Sequence, residues 1–195
     1  IKKRCSFCFV SQGRESLGNG KSQHTTLSLT KRVIDHLPNT PVIAAGGVAD
    51  GKSLAAMLSL GAVGASIGSR FYASTESMAD NTLKNKMVES RGDDTQRTQV
   101  FDIIREIPWP PEYTGRALKN VFTTKWHDNE TELKRQLHQH QAKFFSEQQS
   151  NNLDSAIIWA GECIDSIHAI QSAETIINEM VTHAKHSLEN PTYIR

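Results

Sequence analysis

Apolar residues in this chain gather into short β-prone runs that alternate with stretches of helical spacing, and the alternation repeats three times before residue 75. The run from Cys5 to Ser11 is aromatic and passes into a polar, glycine-containing loop from Gln12 to Thr26. Leu29, Val33, Ile34 and Leu37 then recur at helical spacing until Pro38-Asn39-Thr40 stops them. A second strand, Pro41 to Ala45, is broken by Gly46-Gly47. Asp50 is placed to N-cap a helix carrying Leu54, Met57, Leu58 and Leu60, and Gly61 to end it. A third strand, Ala62 to Ile67, runs into Gly68-Ser69-Arg70-Phe71.

Three consecutive strand-loop-helix units, with the second and third strands apolar throughout, predict an α/β fold: a parallel sheet covered by helices. An eight-fold βα barrel takes about 250 residues, and only three units are clear here. If the sheet belongs to a barrel, its first strands lie outside this sequence. Beyond Ser74 the pattern turns helical and polar, with a break at Pro108-Trp109-Pro110-Pro111, a mixed-charge stretch from Asp128 to Gln149 and an amphipathic segment from Ala173 to Leu188. Residues 1–125 are expected to form the barrel part and residues 126–195 a helical closing segment.

Charge changes this picture mainly by exclusion. With 22 Lys+Arg against 21 Asp+Glu in 195 residues, the net charge of +1 supplies no general attraction to nucleic acid or an anionic membrane. No apolar run approaches the roughly 20 residues that cross a bilayer. Three cysteines are too few for a disulfide framework, which points to an intracellular, cytoplasmic setting. Cys5 and Cys8 have a Cys-x-x-Cys spacing, but an odd separation on a strand sends the side chains to opposite faces, and no second pair accompanies them. No metal site is expected, and Cys163 reads as a buried thiol.

The two strand ends carry the candidate chemistry. Ala44-Ala45-Gly46-Gly47 and Ile67-Gly68-Ser69 are separated by one helix, so a parallel sheet places both at its carboxyl edge, where ligands bind in such folds. Glycine there lets backbone N–H groups approach an anion closely. Two such ends side by side suit a phosphate pocket, with Ser69 as a further donor. Tight turns and helix-strand packing are the plainer use of the same glycines. Arg70 is open between neutralising a phosphate and a structural ion pair.

Three stretches together resemble the nitronate monooxygenase family, and its fungal-type members in particular: Pro41 to Gly51, Leu54-Ala55-Ala56 through Gly64, and Gly68 to Ser74. Val10-Ser11-Gln12-Gly13-Arg14-Glu15, Trp109-Pro110 with Tyr113-Thr114-Gly115-Arg116-Ala117, and Trp159-Ala160-Gly161 resemble the same family, in the same order. The resemblance implies an FMN-dependent barrel, here a partial (β/α)8 TIM barrel made of C-terminal strands, acting on a small nitronate or nitroalkane with O2. Carried over, it puts Gln12, Gly46, Gly47, Ser66, Ile67, Gly68 and Ser69 on the flavin.

One departure stands out. Where the family has Ala-Gly-Gly-His-Gly, with the histidine as catalytic base, this chain reads Ser16-Leu17-Gly18-Asn19-Gly20. Asparagine takes no proton near neutral pH, so abstraction of the α-proton from a neutral nitroalkane is expected to suffer, while a nitronate, already deprotonated, can still accept hydrogen bonds from Asn19. His24, five residues on, is a weaker substitute for the base. The runner-up reading is a non-catalytic or truncated FMN binder, and a further one is an FMN-dependent reductase of the same barrel class.

Overall fold

The computed structural model describes residues 8–21 and 23–190. The first residues of the expected opening strand, and Cys5 of the Cys-x-x-Cys pair, lie outside the described residues. Strand β1 (Phe9–Gln12) leads through a long loop to helix α1 (Thr26–His36), then β2 (Val42–Ala45), α2 (Gly51–Ser59), β3 (Gly64–Ser66) and the short α3 (Ser69–Tyr72). β1, β2 and β3 form a parallel sheet in that order, with Gln12 opposite Ala45 and Ala45 opposite Ser66. The anticipated βα alternation is therefore present, and the register aligns the carboxyl ends of all three strands.

Local chemistry explains the boundaries. Asp50 caps α2 in a reciprocal box: its carboxylate accepts from the Ser53 amide at 2.7 Å, while the Ser53 hydroxyl accepts from the Asp50 amide at 3.1 Å. Gly46, Gly47 and Gly61 adopt φ of +108°, +71° and +104°, a region that L side chains rarely enter. Helix α1 departs from its apolar spacing: Thr26 and Thr30 are its buried residues, while Leu27 is 56% exposed. Thr30 donates to Ser11 on β1, so a polar pair lies at that crossing.

After Ser74 come α4 (Asn81–Glu89), β4 (Thr95–Thr98), α5 (Val100–Ile104), β5 (Gly115–Leu118), α6 (Val121–Trp126), α7 (Glu130–Arg135), α8 (Leu137–Gln149) and α9 (Ala173–Glu189). The antiparallel β4–β5 pair is absent from the helical reading of this half. Thr95-Gln96-Arg97-Thr98 has no apolar alternation, and its partner is 17 or more residues away in sequence. The pair is held by its surroundings, with all four residues of β5 buried. An aromatic core forms beside it from Phe101, Trp126, Phe144 and partly buried Phe122 and Trp159. The mixed-charge stretch becomes α7 and α8, each burying one large apolar residue, Leu133 or Phe144.

Helix α9 returns to the beginning of the chain and packs Ile176 and Met180 into the cluster formed by Ala44, Val48 and Met57. Gly51 makes this crossing possible: a Cβ there would lie 2.7 Å from both the Ala184 amide nitrogen and the Met180 carbonyl, and would also strike His183. These are backbone atoms that cannot swing aside. Gly51→Ala is therefore expected to lose about 1–3 kcal/mol despite alanine's better helix propensity, and a chemical-denaturation curve matching the unchanged protein would contradict this. Among the described residues no helix is long and apolar enough to span a membrane, and no cluster of His, Cys, Asp and Glu could hold a metal ion.

Candidate functional site

The aligned strand ends open onto a pocket lined by the tips of β1, β2 and β3 and the loop that follows β1. Its walls include Gln12, Ser16, Gly46, Gly47, Gly68, Ser69 and Cys163. Its volume of about 170 Å³ is below the ~300–1,000 Å³ typical of whole ligand clefts. Six of the seven proposed flavin contacts, Gln12, Gly46, Gly47, Ser66, Gly68 and Ser69, line this pocket. Ile67 does not line it; its side chain packs against the apolar cluster beneath the sheet.

The loop after β1 is held from several sides. Gln12 donates its side-chain amide to the Gly18 carbonyl at 3.0 Å. The Glu15 carboxylate accepts from the Thr26 amide at 2.9 and 3.1 Å, and the Thr26 hydroxyl bonds the Ala45 carbonyl at 3.2 Å. Leu17 lies over the Gly68 tip, its Cδ2 2.5 Å from where a Cβ on Gly68 would stand. The departure at Leu17 is thus accommodated by the glycine opposite it.

The strongest tether comes from β4. The Arg97 guanidinium donates to the carbonyls of Arg14 at 3.0 Å, Ser16 at 3.2 Å, Gly18 at 3.3 Å and Gly20 at 3.0 Å. It also bonds the Thr114 hydroxyl at 2.8 Å and the Thr114 carbonyl. Burial lowers its proton affinity, and the nearby Arg116 and Arg14 charges act in the same direction. An arginine in a polar strand carried no sequence signal for this role.

Asn19 does not line this pocket. Its side-chain amide donates to Asp102 Oδ2 at 2.9 Å, and the other carboxylate oxygen pairs with Arg105 at 2.9 Å. Asp102 is buried on α5, which makes it a second residue that the sequence did not single out. His24 is not brought to the pocket either: it is exposed, with Nε2 2.7 Å from Arg32 Nη1. Arg70 forms neither of its expected contacts among the described residues: it donates to the Ala169 carbonyl at 3.2 Å and to the Gln171 side-chain oxygen, with no ion pair. Trp109 stacks on Tyr113 with ring centroids 5.9 Å apart and stays half exposed.

Cys163 departs from its expected burial. It is only partly buried and faces the pocket, placed there by the turn Glu162–Ser166. That turn is pinned under the β3 tip, because the Gly161 amide donates to Ser69 Oγ at 2.8 Å. Its thiol is pushed up by desolvation, an effect partly offset by hydrogen bonds from the Ser69 hydroxyl and the Gly47 amide. Ser16 Oγ, also on the pocket wall, is buried and has no hydrogen-bond partner among the described residues. An orphaned hydroxyl costs about 1–3 kcal/mol, which a ligand oxygen would restore.

Similarity to known proteins bears on the family and the fold. Residues 3–183 match the family model of nitronate monooxygenase. Nitronate monooxygenase npaC of Metarhizium robertsii is 34% identical over 145 residues, which is 69% of this chain and 40% of that protein. A probable nitronate monooxygenase of Bacillus subtilis is 29% identical over 186 residues, 88% of this chain and 50% of its own length. The chain thus spans about half the length of these relatives. Among solved structures, FabK from Thermotoga maritima superimposes with a TM-score of 0.77 at 29% identity, covering 92% of this chain and 55% of that one. Nitroalkane oxidase from Streptomyces ansochromogenes shares the fold, with a TM-score of 0.75 at 21% identity over 91% of this chain and 51% of its own.

Proposed function

Because this chain belongs to the nitronate monooxygenase family, we propose that it is the phosphate-binding part of an FMN-dependent oxidoreductase that oxidises alkyl nitronates with O2. The observation that carries this reading is the buried, unpartnered Ser16 hydroxyl facing Gly46, Gly47 and Ser69 across one pocket. A phosphate offers the acceptor oxygens that this hydroxyl lacks, and the positive φ of both glycines keeps the β2 tip free of side chains. The residues therefore fit the phosphate end of FMN. Ser16, Ser69 and the Gly46-Gly47 and Gly68 backbone would hold the phosphate, and Gln12 would lie beside the remainder of the cofactor.

Bound FMN supplies electron acceptance from the organic substrate and reoxidation by O2. The chain's own residues orient and exclude. Asn19 Nδ2 has two hydrogens, one of them engaged by Asp102, which leaves the other for a nitro oxygen. With no group at position 19 able to take a proton, an already ionised nitronate is the better substrate and a neutral nitroalkane the poorer one. Both are small molecules, and no nucleic-acid partner is part of this reading. The engagement of Asn19 with Asp102 also favours a second reading, an FMN binder without turnover.

Titration with FMN and riboflavin, followed by flavin fluorescence, tests the first claim. FMN is expected to bind at least about tenfold more tightly than riboflavin, a difference of about 1.4 kcal/mol from the phosphate alone. Equal affinity for the two, or no binding of either, overturns the phosphate assignment. Oxygen uptake on adding a nitronate to the loaded protein then separates the enzyme from the silent binder.

A further inference from the structure

We propose that Cys163 is a residue of the anion pocket and that its side chain packs against the bound phosphate, so that the group at position 163 governs whether a dianion is accepted. This rests on the phosphate reading above and extends it to a residue outside the two strand tips. Residues of both strand tips, Gly47 from one and Ser69 from the other, line the same pocket as the sulfur. The thiol thus occupies the place where the two tips meet, on the same wall as Gly46 and Gly68.

The second observation is independent of the cysteine. Ser16 is 7% exposed, and its hydroxyl lies on this pocket without a protein partner. A buried donor left open, on a pocket whose wall also carries the thiol and both strand tips, marks a place for acceptor oxygens. Desolvation keeps the thiol in its neutral form, so it meets an anion as a weak S–H donor rather than as a like charge. A carboxylate in the same position would oppose the phosphate directly, and an amide of the same size would not.

The test compares Cys163→Asp with Cys163→Asn, each titrated with FMN and with riboflavin. FMN affinity of the Asp variant is expected to fall at least about 30-fold below that of the Asn variant, roughly 2 kcal/mol at 1.4 kcal/mol per decade. Riboflavin, which lacks the phosphate, should bind the two variants alike. A parallel loss for both flavins, or none for either, overturns the proposal. If the Asp variant does not fold, N-ethylmaleimide labelling of the unmodified chain decides instead. FMN or inorganic phosphate should slow labelling of Cys163 while exposed Cys8 keeps its rate, and equal labelling of Cys163 with and without either anion overturns the proposal. A chain that binds no flavin, yet whose Cys163 is protected by inorganic phosphate, sinks the FMN reading and retains this one.

Discussion

Asn19→His is expected to raise turnover of a neutral nitroalkane by about 10²- to 10⁴-fold, the range a positioned general base contributes, with a much smaller effect on the matching nitronate. The structure already holds the group that would orient the new ring. Asp102 is 3% exposed and accepts from the Asn19 amide at 2.9 Å, with Arg105 paired to its second oxygen at 2.9 Å. An imidazole at position 19 can give one ring N–H to that carboxylate and present its other nitrogen, unprotonated, to the substrate carbon acid. Gly115 leaves the space, since a Cβ there would stand 3.2 Å from Asn19 Oδ1 and would strike the Trp159 ring. The ratio of nitroalkane to nitronate rates in FMN-loaded protein is the measurement. Asp102→Asn added to Asn19→His should remove most of the gain, because the ring then loses its fixed tautomer. An unchanged ratio with flavin bound would show that position 19 does not face the substrate.

Arg97→Ala is expected to destabilise the protein by about 3 kcal/mol, since bonds from a charged donor contribute about 1.5–3 kcal/mol each and do not add fully. For a chain of this size that lowers Tm by roughly 6–12 °C. Six oxygens of the site loop and of Thr114 each lose a bond from the guanidinium together. Arg97→Lys should recover only a small part, because one ammonium cannot span the carbonyls of Arg14, Ser16, Gly18 and Gly20 as a planar fork does. Proteolysis should then cut within residues 13–20 well before global unfolding, and FMN affinity should fall with it. A melting curve for Arg97→Ala that overlays the parent would remove Arg97 from this role.

Both residues show where sequence reading stops. Asn19 was legible as a departure from a family pattern, but its partner was not, because 83 positions separate it from Asp102. Arg97 sits in a strand with no apolar alternation, and nothing in Thr95-Gln96-Arg97-Thr98 predicts pairing with Gly115-Arg116-Ala117-Leu118. Ser16 and Cys163 are ordinary small residues in the sequence. They become pocket residues only because the loop after β1 folds back over the strand tips and the Gly161 amide pins the following turn to Ser69.

By itself the sequence determined the parallel β1–β2–β3 unit, the capped helix after Asp50 and the glycines at two strand tips. These follow from apolar periodicity, side-chain capping, positive φ at Gly46 and Gly47 and close approach at Gly68, all but the last of which act within a few residues. The tertiary structure alone decided which distant groups complete the site: the guanidinium that holds the loop, the carboxylate behind Asn19 and the thiol between the tips. Those choices depend on hydrogen bonds and burial between segments up to about a hundred positions apart, such as Ser69 and Gly161, and such long-range closure leaves no periodic trace in the chain.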